Sequence, residues 1–186
     1  MNRKMILAPI IVLLMLLAVA PAMACPTHTQ KVPASEWTTA PVPGTSLPPK
    51  YQWNMGSITV EIGYQSDVKG TLEIGSNTYV IYSHAVSDLV YNSKTGVADR
   101  VSNAVWYVPT LGASDGFSGI ITIDSYGVTS LNPATGAPVG TTSYSAHVEL
   151  RGFGEFKGQT LTLSYDGPNV LSPTPTIWTG YCLIPT

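Results

Sequence analysis

From Trp53 onward apolar and polar residues alternate along most of the chain, the period of two expected of strands that bury one face. In residues 57–62 the apolar set is Ile58, Val60 and Ile62, and the polar set is Ser57, Thr59 and Glu61. That pattern predicts a strand with Ile58, Val60 and Ile62 on the core side and Glu61 facing outward. Residues 68–74 repeat it, with Val68, Leu72 and Ile74 opposite Lys69, Thr71 and Glu73, and Gly75-Ser76-Asn77 then predicts a tight turn. Residues 78–86 are apolar on both faces, which predicts a central strand. Residues 88–91 and 97–108 flank Asn92-Ser93-Lys94-Thr95-Gly96, a hairpin loop with Gly96 placed for positive φ. Further strands are expected at 117–126, 143–150, 158–165 and 177–183, with a long loop around 132–138. After the first 24 residues, no window long enough for a globular helix carries the 3.6-residue period.

Eight or nine short strands separated by turn signals predict an all-β domain over residues 51–186, a single antiparallel β-barrel or a β-sandwich. The barrel is favoured because closure removes the sheet edges that a long antiparallel sheet must otherwise protect. Residues 25–50 hold Pro26, Pro33, Pro41, Pro43, Pro48 and Pro49 among Thr and Ser. Proline lacks a backbone donor and favours extended chain, so this segment is expected as an arm laid along the domain, with Trp37 and Val42 pinning it.

The opening residues read as a secretory signal peptide over 1–24. Arg3 and Lys4 form the positive start, residues 5–20 carry no charge, and Ala22-Met23-Ala24 is a small-x-small cleavage end. An uncleaved membrane anchor is the competing reading, since the apolar run is about long enough to span a bilayer. Cleavage leaves Cys25 first. As one of only 2 Cys in an exported chain, it is expected to pair with Cys182. Such a long-range bridge stabilises by about 5 kcal/mol on a chain-entropy model. A lipid on Cys25 is the alternative, although Ala22-Met23-Ala24 lacks the Leu usual in a lipobox. The protein is thus expected to be secreted or in the cell envelope, with no membrane span in the mature chain.

Charge narrows the partners. Only 11% of residues are charged, against about a quarter in an average domain. Two of the 9 Lys+Arg leave with the signal, so 7 remain against 11 Asp+Glu. Nothing basic is left to gather phosphates, and no nucleic-acid partner is expected.

The nine residues Arg151-Gly152-Phe153-Gly154-Glu155-Phe156-Lys157-Gly158-Gln159 have a G-x-G-x-F-x-G pattern. It resembles a hairpin of small antiparallel barrels of the dirigent and allene-oxide-cyclase types. The resemblance implies a barrel with an apolar interior cavity and carries over no catalytic residue.

Candidate chemistry is sparse. The three His, His28, His84 and His147, form no H-x-H or H-E-x-x-H motif, so no metal and no cofactor is expected. His147 and Glu149 share one strand face. His84 shares its face with Val80, Tyr82 and Val86, a setting that predicts a buried, hydrogen-bonded ring. Asp115 and Asp166 lie beside glycines and are read as turn stabilisers rather than calcium ligands. No G-x-S-x-G is present. Acids for glycoside cleavage would have to come from Glu61, Glu73, Asp124, Glu149 and Glu155, with Glu61 and Glu73 outward.

The aromatic set is biased, with 4 Trp and 10 Tyr against 3 Phe, the amphipathic kind that suits wet recognition surfaces. Trp53, Trp106, Tyr107 and Trp178 are candidate ligand-binding residues, with Trp106 and Trp178 also candidates to cap the core. His84, His147 and Glu149 complete the candidate set. The reading is an exported, non-enzymatic β-domain that binds a small apolar ligand or a glycan, through a barrel cavity or an aromatic face. An envelope structural or adhesion module and a cavity-type enzyme, a cyclase or isomerase, are the alternatives.

Overall fold

The computed structural model describes residues 28–42, 45–112, 114–127, 130–132, 138–139, 143–167 and 176–186. The expected signal peptide, Cys25 and the centre of the 132–138 loop lie outside them. Among the described residues the chain is built from strands: β1 (Thr29–Pro41), β2 (Tyr51–Met55), β3 (Ile58–Ile74), β4 (Asn77–Asn92), β5 (Val97–Tyr107), β6 (Gly116–Gly127), β7 (Ser130–Leu131), β8 (Pro138–Val139), β9 (Ser143–Phe153), β10 (Thr160–Gly167) and β11 (Thr176–Pro185). A 3₁₀ turn, Gly154–Phe156, follows β9.

The main sheet runs β1-β11-β10-β9-β6-β5-β4-β3-β2, and β1 pairs again with β3. That second pairing closes eight strands into an antiparallel barrel and leaves β2 as a ninth, extra strand. The expected barrel is therefore the observed fold. The segment read as a proline-rich arm supplies β1, registered on the second half of β3 from Ala34 opposite Ile74 to Pro41 opposite Val68. β2 pairs with the first half of the same strand, Tyr51 opposite Ile62 and Met55 opposite Ile58. The 17-residue β3 thus serves two partners on one edge. Lys31–Ile184 form one compact unit. In the other, the Thr186 backbone N–H donates to the His28 carbonyl at 3.2 Å.

Two predicted strands, 57–62 and 68–74, are one strand with a bulge between Glu61 and Tyr64. The inserted residue shifts the pleat by one, so the inward set changes from odd to even numbers across it. Before the bulge Glu61 points inward and is 1% exposed, while Ile62 is 37% exposed. The expectation that Glu61 faces outward is corrected here. Alternation gave the two faces, but the phase is set by the bulge. Gly63 makes the bulge at φ +76, a conformation that side chains resist.

Inside the barrel the strands stack Leu72, Ile81, Phe117, Val148, Leu150, Leu161 and Leu163, all fully buried. These residues give this part of the barrel interior an apolar lining. Phe156, carried by that hairpin, plugs the core with its ring 4.7 Å from Phe117 and edge-on to Tyr79 at 5.3 Å. Gly152 is what lets the turn fold back so tightly: a Cβ there would stand 2.0 Å from the Phe156 carbonyl oxygen. Asp115 is buried, and its Oδ1 accepts the Glu155 backbone N–H at 2.9 Å, tying the β5–β6 loop to this turn.

Candidate functional site

The phase shift in β3 turns apolar side chains outward, and they line a groove. It has a volume of about 480 Å³ and crosses β3, β4, β5 and β6. One wall is Val60, Val90 and Asp99, and the other is Ile62, Asp88, Val101 and Thr122. The register sets these rows side by side: Val60 faces Val90, Val90 faces Asp99, Asp88 faces Val101, and Val101 faces Thr122. Between the walls, Glu61, Leu89, Arg100 and Ile123 complete the lining. Pleat alternation sends their side chains into the barrel and leaves backbone as the groove floor. Ile62, Val90 and Val101 are exposed, so the groove opens on the outer surface.

β2 continues both rows. Trp53 is the cross-strand partner of Val60, and Tyr51 is the partner of Ile62. Paired residues share a face, so the two rings flank the β3 end of the groove. Trp53 is 42% exposed and Tyr51 56%. At the far end Thr122 pairs with His147 on β9. From β2 to β6 the rows span about 19 Å, four strand spacings, and the walls stand about 7 Å apart, two residues along a strand.

Asp88 and Asp99 stand on opposite walls as diagonal neighbours, within reach of one ligand group. Asp88 Oδ1 also accepts the Gly63 N–H at 3.0 Å, which fixes the carboxylate beside the bulge. Both aspartates are exposed. Neither has the apolar enclosure required of a general acid in glycoside cleavage.

Behind the floor lies a polar cluster. Arg100 Nη2 donates to Ser87 Oγ at 2.6 Å, Ser87 and Ser102 hydroxyls share a bond of 2.8 Å, and the guanidinium lies 5.2 Å from the centre of the Tyr64 ring. Glu61 Oε1 and Arg100 Nε are buried without a hydrogen-bond partner. Burial pushes the Glu61 carboxyl above its ordinary value, and the Arg100 charge pulls the other way with less effect.

Of the residues singled out from sequence, Trp53 and His147 lie along this groove, at opposite ends. Glu149 is exposed one step along β9, opposite Ile120. Trp106 and Trp178 are buried in the core, the latter against Tyr165 at 6.0 Å. Tyr107 is half-exposed and packs edge-on to Phe153 at 6.3 Å. His84, expected to be buried, is exposed; its Nδ1 lies 2.6 Å from Asp67 Oδ1. The inward positions of its strand are Ile81, Ala85 and Leu89, which leaves 84 on the outer face. Cys182 is buried with a free thiol, 3.4 Å from Gln159 Oε1, and burial pushes it up to about 11. Its expected partner, Cys25, is outside the described residues. Tyr51, Asp88 and Asp99 are members that sequence reading missed. The Tyr51-x-Trp53 spacing, which puts two rings on one strand face, was the available signal.

Comparison with protein-family models, with curated proteins and with solved structures finds no match. Among the described residues, no group of three His, Cys, Asp or Glu is placed to hold a metal, and no helix is long and apolar enough to cross a membrane.

Proposed function

We propose that this is an exported binding protein whose outer groove holds a glycan. The observation that carries the reading is the join between Tyr51 and Trp53 on β2 and the groove walls on β3 to β6. Sugar rings have apolar faces and hydroxyl edges. Exposed aromatic rings suit the faces, and carboxylates that accept hydrogen bonds suit the edges. The groove offers both in sequence, rings at the β2 end and Asp88 with Asp99 nearer β5. An apolar ligand is less well served, because it would displace water from the two carboxylates and supply no donor in return. Export follows from the charge and length of the first 24 residues.

Trp53 gives the test its readout as the exposed tryptophan, since Trp106 and Trp178 are buried and Trp37 is half-buried, and comparison with Trp53→Phe separates its signal from that of Trp37. A panel of soluble oligosaccharides is titrated while quenching of tryptophan fluorescence by acrylamide is followed. A ligand that stacks on Trp53 protects the exposed fraction, and Trp53→Phe removes that signal. If no member of a panel spanning neutral, amino and acidic sugars protects Trp53, the reading fails.

A further inference from the structure

We propose that the groove selects glycans that carry free amino groups, an inference that rests on the glycan-binding reading and narrows its ligand class. Charge along the groove carries the selection. Its lining holds three carboxylates, Glu61, Asp88 and Asp99, and a single cation, Arg100. Arg100 is turned into the barrel, held by Ser87 Oγ and laid against Tyr64. Glu61 is likewise inside. The ligand therefore meets Asp88 and Asp99 as the charged groups of the walls, one on each side. An ammonium group lying between them satisfies both with charge-assisted hydrogen bonds. A carboxylate there meets like charge on two sides.

The position of this pair fixes which part of the ligand bears the amine. Asp88 lies two strands from the aromatic pair and Asp99 three, about 10 and 14 Å away. A short oligosaccharide covers that distance, with one ring on Trp53 and Tyr51 and the amine on a later ring. Lys50 also stands near the groove, its Nζ 5.5 Å from the centre of the Tyr51 ring, at the opposite end from the carboxylates. His147 stands beyond Thr122 at the β9 end. Neither lies between the aspartates.

The test is calorimetric titration of the full mature chain with three oligosaccharides of equal length: a glucosamine oligomer, its fully N-acetylated form and a uronic acid oligomer. The glucosamine oligomer is expected to bind about fivefold more tightly than the acetylated one, the effect of one modest ion pair, and the uronic acid oligomer more weakly than either. Asp99→Asn, an exposed substitution, is expected to reduce the amine preference, weakening the glucosamine oligomer more than the acetylated one. High ionic strength is expected to do the same. Equal binding of amine and acetylated oligomers, both weakened by Trp53→Ala, overturns amine selection while keeping the glycan reading. Tightest binding by the uronic acid oligomer overturns it as well. No binding of any of the three, with Trp53 unprotected across the wider panel, overturns both.

Discussion

The Gly63 backbone N–H donates to Asp88 Oδ1 at 3.0 Å, so one carboxylate both holds the β3 bulge and stands in the groove wall. Fold and candidate site therefore meet at this contact. Gly63 lies at φ +76, and a Cβ there would come within 3.2 Å of the Lys50 Cβ. Gly63→Ala is expected to cost about 1–2 kcal/mol from the left-handed backbone alone, measured by urea denaturation. Because the bulge sets which residues of β3 face outward, the same variant is expected to weaken glycan binding.

Asp115 joins two loops 40 residues apart in sequence through its bond to the Glu155 N–H. Asp115→Ala leaves that donor without a partner in a partly buried place, at an expected cost of about 1–3 kcal/mol. Asp115→Asn keeps an acceptor and is expected to cost less. Equal stability of all three proteins in denaturant would show that the tie contributes nothing.

Glu61 provides a pH test. Its folded carboxyl is raised above the ordinary value of 4.5, chiefly by burial. Between that value and the raised one, the folded protein holds a proton that the unfolded chain has released. Stability from this group is thus fully present below about pH 4.5 and falls as pH rises through the folded value. Glu61→Gln removes this dependence. The variant is expected to be the more stable protein at neutral pH, with its advantage shrinking as pH is lowered toward 4.5. An advantage that is constant with pH would contradict the assignment.

Cys182 is fully buried and its thiol is held in the protonated form at neutral pH. A thiol reagent is expected to leave it unmodified in the folded protein and to react once the chain is unfolded without reductant. If no thiol reacts even then, Cys182 is bridged in the protein as made, as its pairing with Cys25 would require.

Strand content was legible because one face of nearly every strand is buried, and burial writes a period of two into the sequence. Barrel closure was legible only as a preference, since the pairing of β1 with β3 joins residues 27 to 40 apart through a proline-rich segment. What alternation could not supply was phase. Ser57 to Ile62 alternates equally well with either set inward, and the deciding feature is the two-residue bulge at Ile62 and Gly63. The groove inherits that ambiguity. Val60 and Ile62 alternate as core residues do, so their places on the two walls beside Trp53 and Tyr51 were invisible, and no motif singles out Asp88 or Asp99. His84 was misjudged for the same reason: Val80, Tyr82 and Val86 are apolar but lie on the outer face.

The central claim is that Trp53 is a platform for a sugar ring. It is tested most directly by calorimetric titration of the intact protein and of Trp53→Ala with the best oligosaccharide of the panel. Loss of one stacked aromatic is expected to weaken binding about tenfold, with the stability of the exposed-site variant unchanged within about 0.5 kcal/mol. A variant that binds as tightly as the parent would contradict the account.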